Sequence, residues 1–199
     1  MNIPDISYDW KALSIKQPAA SMIVDGLKLV ENRNKRQYKD KTLAGRWIFI
    51  HASVSSVETK ESILQYPPTT PSMYRDSTFP RGMIIGIVKI KGVYDYHDIV
   101  DPEVQQWAHD GDACILFDTV IKLNVPVQAP GGLNTWTMKP PSKWDPPRKL
   151  SKRESSMSTV ELCAWRQEQE GKYRKQSLKK RVALINILMA VRRGEYVVS

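Results

Sequence analysis

Three residue types close together carry the densest chemistry in this chain: Lys28, Glu31 and Arg33, within Gly26-Leu27-Lys28-Leu29-Val30-Glu31-Asn32-Arg33. In an extended segment side chains alternate, so Glu31 and Arg33 share one face. Lys28, set before a bend, joins them. Two cations around one carboxylate make a charge-compensated pocket for an anion or the polar edge of a base. Arg33 is the stronger phosphate or base partner, because its planar fork donates in pairs. Lys28, if desolvated, loses its proton and becomes a nucleophile or base, with Glu31 as proton shuttle. The same three residues also read as a structural salt-bridge cluster, and the pattern alone leaves both readings open.

Other polar positions have two readings each. Ser14, Lys16 and Gln17 precede a short helix whose free N–H groups favour an anion. They hold a phosphate or base edge, or they simply cap the helix beside a solvated lysine. His51 sits in an apolar strand and reads as a satisfied interior histidine. Gly131-Gly132, with Asn134 and Trp136, offers backbone N–H groups and a stacking surface, although Trp136 also fits as a core aromatic. Lys35, Arg36, Lys39, Lys41 and Arg46 are interleaved with Tyr38 and Trp47. Cations with aromatics are the ingredients of single-stranded nucleic-acid binding. A solvated loop has the same composition.

The elements that must position these residues follow from periodicity. Lys11–Lys16 alternates as a short strand broken at Pro18. Ala19–Asp25 is a short helix stopped by Gly26. Lys28–Arg33 resumes an extended pattern, and Arg46–Ala52 is a strongly apolar strand. Ser53–Tyr66 suits a serine-capped helix, and Pro67–Arg81 a long connection. Gly82–Tyr94 is the clearest strand, opening as a buried run and then alternating. Asp101–Ala108 is a helical turn. Ala113–Val127 is two strands or one bent strand, and Leu133–Met138 a short closing segment after a Pro-Gly-Gly turn.

Pro140, Pro141, Pro146 and Pro147 then mark a boundary. Beyond it, Thr159–Glu170 and Tyr173–Arg193 are expected to be helical. Leu178, Val182, Ile185 and Met189 fall on one face of the second, which suggests a docked helix with an exposed basic start.

The totals bound the class. The chain has 199 residues, 30 Lys+Arg against 21 Asp+Glu and a net charge of +9. At 41% apolar and 26% charged it is neither disordered nor fibrous. Residues 145–199 alone carry 13 basic and 6 acidic groups, so a nearly neutral body bears a basic tail. Polyanions are the partners such a balance favours. No run approaches the roughly 18 apolar residues of a membrane span. The start lacks a secretory pattern. Cys114 and Cys163 lack metal-ligand spacing and read as free thiols. An intracellular protein, cytoplasmic or nuclear, without metal or cofactor is expected.

Several of these motifs, in order, resemble the ASCH family, a branch of the PUA-like β-barrels. Gly26–Arg33 matches its Gly-x-Lys-x-x-Glu-x-Arg signature. Leu13–Pro18 is similar to its first strand and helix entry, and Arg46–Ser53 to its His-Ala-Ser strand. Pro80–Val93 and Val125–Trp136 resemble its Gly-x-Ile-Ile-Gly strand and closing segment. The spacing of Pro80–Gly86 is most similar to the ASCH domain of the activating signal cointegrator group. This chain departs at Ala19, where the family usually has Trp after Gln-Pro.

The resemblance implies an α+β fold with a small PUA-like barrel and short flanking helices over residues 1–139. The basic loop Asn34–Gly45 and the Pro-rich linker and basic helical extension over 140–199, read from the residues, are not part of the family's common core. The resemblance also implies that Lys28, Glu31 and Arg33 line a cleft that binds nucleic acid. RNA comes ahead of DNA, as a single strand or an exposed end. Ser14, Lys16, Gln17, Lys35, Arg36, Arg46, Gly132 and Asn134 complete the expected surface. The alternative is a small hydrolase acting on RNA or on a modified nucleoside such as N4-acetylcytidine, with Lys28 and Glu31 catalytic. A protein partner for the C-terminal helices is a third reading.

Overall fold

The structure, a computed structural model, describes residues 10–35, 38, 43–55, 67, 72, 74, 79–132 and 134–137. Between 168 and 198 it describes 168, 171–172, 175, 178–180, 182–187, 189–191 and 193–198. The expected helices over Ser53–Tyr66 and Thr159–Glu170 fall largely outside these residues.

Seven strands form one mixed sheet. They are β1 (Lys11–Ile15), β2 (Val30–Asn34), β3 (Trp47–Ala52), β4 (Met83–Tyr94), β5 (Asp112–Gln128), β6 (Thr135–Thr137) and β7 (Tyr196–Val198). The order is β2-β5-β4-β3-β1-β6, with β7 pairing β5. The β1–β3 pair is parallel, and the other pairs are antiparallel. A parallel pair needs a crossover, and α1 (Ala19–Val24) and β2 lie within it. The Ala113–Val127 segment is one 17-residue strand, and three irregularities interrupt its pairing with β4. Such bulges increase local twist and bend a strand.

The sheet curls into a half-barrel. In its order three strands lie between β2 and β1, which in a flat sheet would put them roughly 19 Å apart. Yet Arg33 Nη2 on β2 donates to Ser14 O on β1 at 2.7 Å. Only a sheet rolled upon itself brings those strands within one side chain of each other.

Both faces are covered over the first half of β4, which is buried continuously from Ile84 to Val88 and then alternates from Lys89 onward. Inside the curl, Ala19, Ala20, Ile23 and Val24 of α1 pack with Leu13, Ile50, Val88 and Ile115. α1 approaches closely at Gly86, where a Cβ would sit 2.6 Å from Val24 Cγ1 and 2.8 Å from Ile121 O. On the outer face, Phe49, Ile87, Ile121 and Leu123 pack against Ala183, Leu184 and Ile187 of the C-terminal helix. β7 then adds to the sheet at Ile121–Leu123. A third cluster, including Met22, Val30 and Trp107, gathers around α2 (Pro102–Gln105). Its start is capped by Asp101, whose carboxylate accepts from Glu103 N at 2.9 Å.

The C-terminal helix corrects one expectation. Its docked face is Ala183, Leu184, Ile187 and Ala190, whereas Leu178, Val182, Ile185 and Met189 are exposed. Ala183 and Ala190 let the helix axis approach the sheet, and Leu184 and Ile187 fill the space between. The larger apolar stripe points away.

Candidate functional site

The site forms where the curl nearly closes. β1 delivers Ser14, Ile15 and Lys16; β2 delivers Glu31 and Arg33; the end of β3 delivers Ser53 and Ser55; the segment before β6 delivers Gly132 and Asn134. These residues line an open cleft of about 310 Å³. Asn134 takes a left-handed φ of 54°, a backbone region Asn tolerates better than most residues.

The cleft wall holds a charge cluster. Glu31, 8% exposed, receives Lys28 Nζ on Oε2 at 3.1 Å and Arg33 Nη2 on Oε1 at 3.3 Å. Lys28, 5% exposed, also donates to Val30 O at 2.5 Å. It is not among the lining residues: it lies behind Glu31 and holds that carboxylate in place. Arg33 is the member that faces the cleft. Its Nη2 is committed to Ser14 O and Glu31, while Nε is buried and has no partner among the described residues. Its guanidinium lies 6.0 Å from the centre of the Tyr38 ring. Burial pushes the Tyr38 phenol above its usual range, and the nearby Arg33 partly offsets this.

Ser14 is the hub of the opposite wall. Its Oγ accepts from Trp136 Nε1 at 2.9 Å and from Gly132 N at 3.4 Å, and it lies 3.0 Å from His51 Nδ1. Two of the three partners are pure donors, so the hydroxyl proton goes to Nδ1. This assigns the His51 tautomer: Nδ1 is bare, and Nε2–H donates to Ala129 O at 3.2 Å. Burial holds the imidazole below its ordinary pKa, in keeping with a neutral ring. Gly131 is required beside it, because a Cβ there would meet His51 Cε1 at 2.6 Å. With its oxygen accepting from Trp136 and Gly132 and its proton shared with His51, Ser14 ties β1, β3 and the segment before β6 together.

The remaining candidates separate. Lys16 is exposed at the cleft. Gln17 is buried and fully used: its amide donates to Pro80 O at 2.9 Å, and Oε1 accepts from Ser21 N at 3.1 Å. It serves helix entry, the second of the two readings above. Lys35 pairs with Asp95 at 2.7 Å, which raises its pKa. It lines a neighbouring hollow of about 400 Å³ with Tyr94 and Asp98. Arg46 precedes the opposite end of β3 from Ser53, about 20 Å away along the strand. Arg36 lies outside the described residues.

Sequence reasoning missed Ser53, Ser55 and Ile15. Ser53 continues the His-Ala-Ser strand and was in view, but only the curl turns it toward Arg33. Lys180, from the basic start of the C-terminal helix, lies 5.2 Å from the centre of the Trp136 ring and donates to Thr137 O at 3.2 Å. Trp136 is held between this lysine, His51 and Ser14. It is a structural wedge rather than a free stacking surface.

The sequence from 13 to 139 matches the model of the ASCH domain, more than half of the chain. The chain belongs to the ASCH family. The match spans every cleft element, from Leu13 of β1 to the end of β6. Among solved structures, the ASCH protein of Zymomonas mobilis is similar at 16% identity, over 79% of this chain and 96% of that one, with a TM-score of 0.34. A serine-to-alanine variant of the same protein is similar at 16% identity, over 77% and 94%, with a TM-score of 0.32. No curated protein matches. Among the described residues, no helix is long and apolar enough to cross a membrane.

Proposed function

We propose that this ASCH domain binds nucleic acid, with RNA ahead of DNA, and that the cleft takes an exposed base or strand end. The observation that carries the reading is the Glu31–Arg33 couple. A carboxylate fixed by two cations stands on the cleft wall beside the Arg33 guanidinium, whose side chain is 23% exposed. A fixed acceptor beside a donor fork suits the edge of a base, which presents both kinds of group. Lys16 at the mouth supplies positive charge for the backbone. Tyr94 suits a stacking contact in the neighbouring hollow, but Asp95 and Asp98 there repel phosphates. The backbone therefore leaves the cleft on the Lys16 side.

Binding is favoured over hydrolysis for a local reason. Lys28 is engaged by Glu31 and Val30 O, and the Ser14 oxygen already accepts from Trp136 Nε1 and Gly132 N. The spacing of Pro80–Gly86 supports grouping the chain with the activating signal cointegrator domains, and free, buried Cys114 supports a reducing intracellular setting.

Fluorescence anisotropy with single-stranded RNA and DNA oligonucleotides, across a salt series, tests this. We expect log affinity to fall with log salt by about 0.7 per phosphate contact. Absence of binding at low salt defeats the reading. Turnover of RNA or N4-acetylcytidine by the purified protein brings the hydrolase back.

A further inference from the structure

The C-terminal helix has a second apolar face that the fold does not use. Leu178, Val182, Ile185 and Met189 are 41% to 63% exposed. Their spacing of four, three and four residues is that of a coiled-coil seam, and it runs for roughly 17 Å along the helix. Other exposed apolar side chains, such as Leu27, Val54 and Val100, are scattered singly and need no partner. At Met189 the seam opens into a groove of about 440 Å³ walled by Val125–Gln128 of β5 and by Asn186, Ala190, Arg193 and Glu195.

The charge around this face is mostly positive, with Glu195 on the groove wall pairing Arg193 at 3.8 Å. From Lys172 to Arg193 the sequence has eight basic residues and no acidic one. Lys175, Lys179 and Arg193 are exposed on the helix. A second copy of the chain would bring these cations against their like. Nucleic acid would answer the charge and leave the hydrocarbon in water.

We propose that this face is the docking site for an acidic amphipathic helix of a partner protein, with apolar residues at i, i+3, i+4 and i+7 and Asp or Glu on both sides. The partner's apolar stripe covers Val182 and Ile185, its far end seats in the groove beside Met189, and its carboxylates meet Lys175, Lys179 and Arg193. The site lies across the sheet from the nucleotide cleft, is built from different residues and does not depend on that cleft's function.

The test uses the full chain and a fluorescein-labelled 28-residue helical peptide with Leu at a and d and Glu at e and g. We expect saturable binding that weakens with salt. Val182→Asp and Ile185→Asp weaken it at least about 10-fold, as truncating a central apolar contact does, and shift Tm by no more than about 2 °C, as exposed sites do. A peptide with Lys in place of Glu does not bind. Equal binding or no binding of the two peptides overturns the proposal. Variants that bind like wild type also overturn it, since the contact is then charge alone, as with RNA. A Tm loss beyond about 5 °C shows that residues of this chain or of a second copy already cover the face, and likewise overturns it.

Discussion

Ser14 Oγ and His51 Nδ1 lie 3.0 Å apart, and the two N–H groups that reach the same oxygen fix the direction of their bond: serine donates, histidine accepts. Through this hub β1, β3 and the segment before β6 share one atom. Replacing Ser14 by Ala leaves the Trp136 N–H and His51 Nδ1 without their partner. At about 1–3 kcal/mol for each stranded buried group, we expect a loss of about 2–4 kcal/mol, seen by calorimetry as a Tm lower by about 5–10 °C. A change below about 0.5 kcal/mol contradicts the hub.

Acid should weaken the same hub. Burial lowers the folded-state pKa of His51 from its ordinary 6.5. Between that folded value and 6.5 the unfolded chain binds a proton that the folded chain does not, so stability falls as pH falls. Above 6.5 the contribution is fully present, and below the folded pKa it is lost. Urea midpoints measured from pH 8 to pH 4 should show this decline, and His51→Gln should remove its share of it. Identical profiles for the two proteins contradict the neutral, buried assignment.

Much of this was legible in the sequence, for physical reasons that differ between segments. Ala19–Val24, β3 and the first half of β4 are largely apolar runs with clear stops, and burial on both faces reinforces the local pattern. The Gly-x-Lys-x-x-Glu-x-Arg spacing brought Lys28, Glu31 and Arg33 together before any fold was known. What sequence could not supply was depth. Lys28 and Arg33 are alike in pattern, and only the three-dimensional path of β2 puts one behind Glu31 and the other in the cleft. The C-terminal helix failed for a related reason: it has two apolar faces, and hydropathy picks the larger side chains, whereas close packing on the sheet requires the small Ala183 and Ala190. β7 is three residues long, too short a run to stand out although Tyr and Val favour strands, and its place in the sheet comes from pairing with β5.

The Lys28–Glu31 pair should be costly to halve and cheaper to remove whole. Glu31→Gln leaves the Lys28 ammonium buried with Val30 O as its remaining described acceptor, and losses of about 3–5 kcal/mol are usual for one partner of a buried pair. Combining Glu31→Gln with Lys28→Met should recover at least about 1 kcal/mol in chemical denaturation. Strict additivity of the two single losses contradicts a coupled buried pair.

Lys180 ties the helix to the cleft wall through Trp136 and Thr137 O. Lys180→Ala removes one cation–π contact and one hydrogen bond. We expect about 0.5–1.5 kcal/mol of destabilisation and altered tryptophan emission in the folded protein. Unchanged emission and stability contradict a held indole.

The most direct test of the cleft is where RNA perturbs the protein. In a nitrogen–proton NMR titration with a short single-stranded RNA, we expect the largest shifts at the amides of Lys16, Arg33, Gly132 and Asn134. Arg33→Lys should abolish the pattern at equal RNA concentration while leaving the remaining spectrum folded. Shifts confined to the C-terminal helix, with Arg33 and Gly132 unmoved at saturation, contradict the assignment of the cleft as the nucleic-acid site.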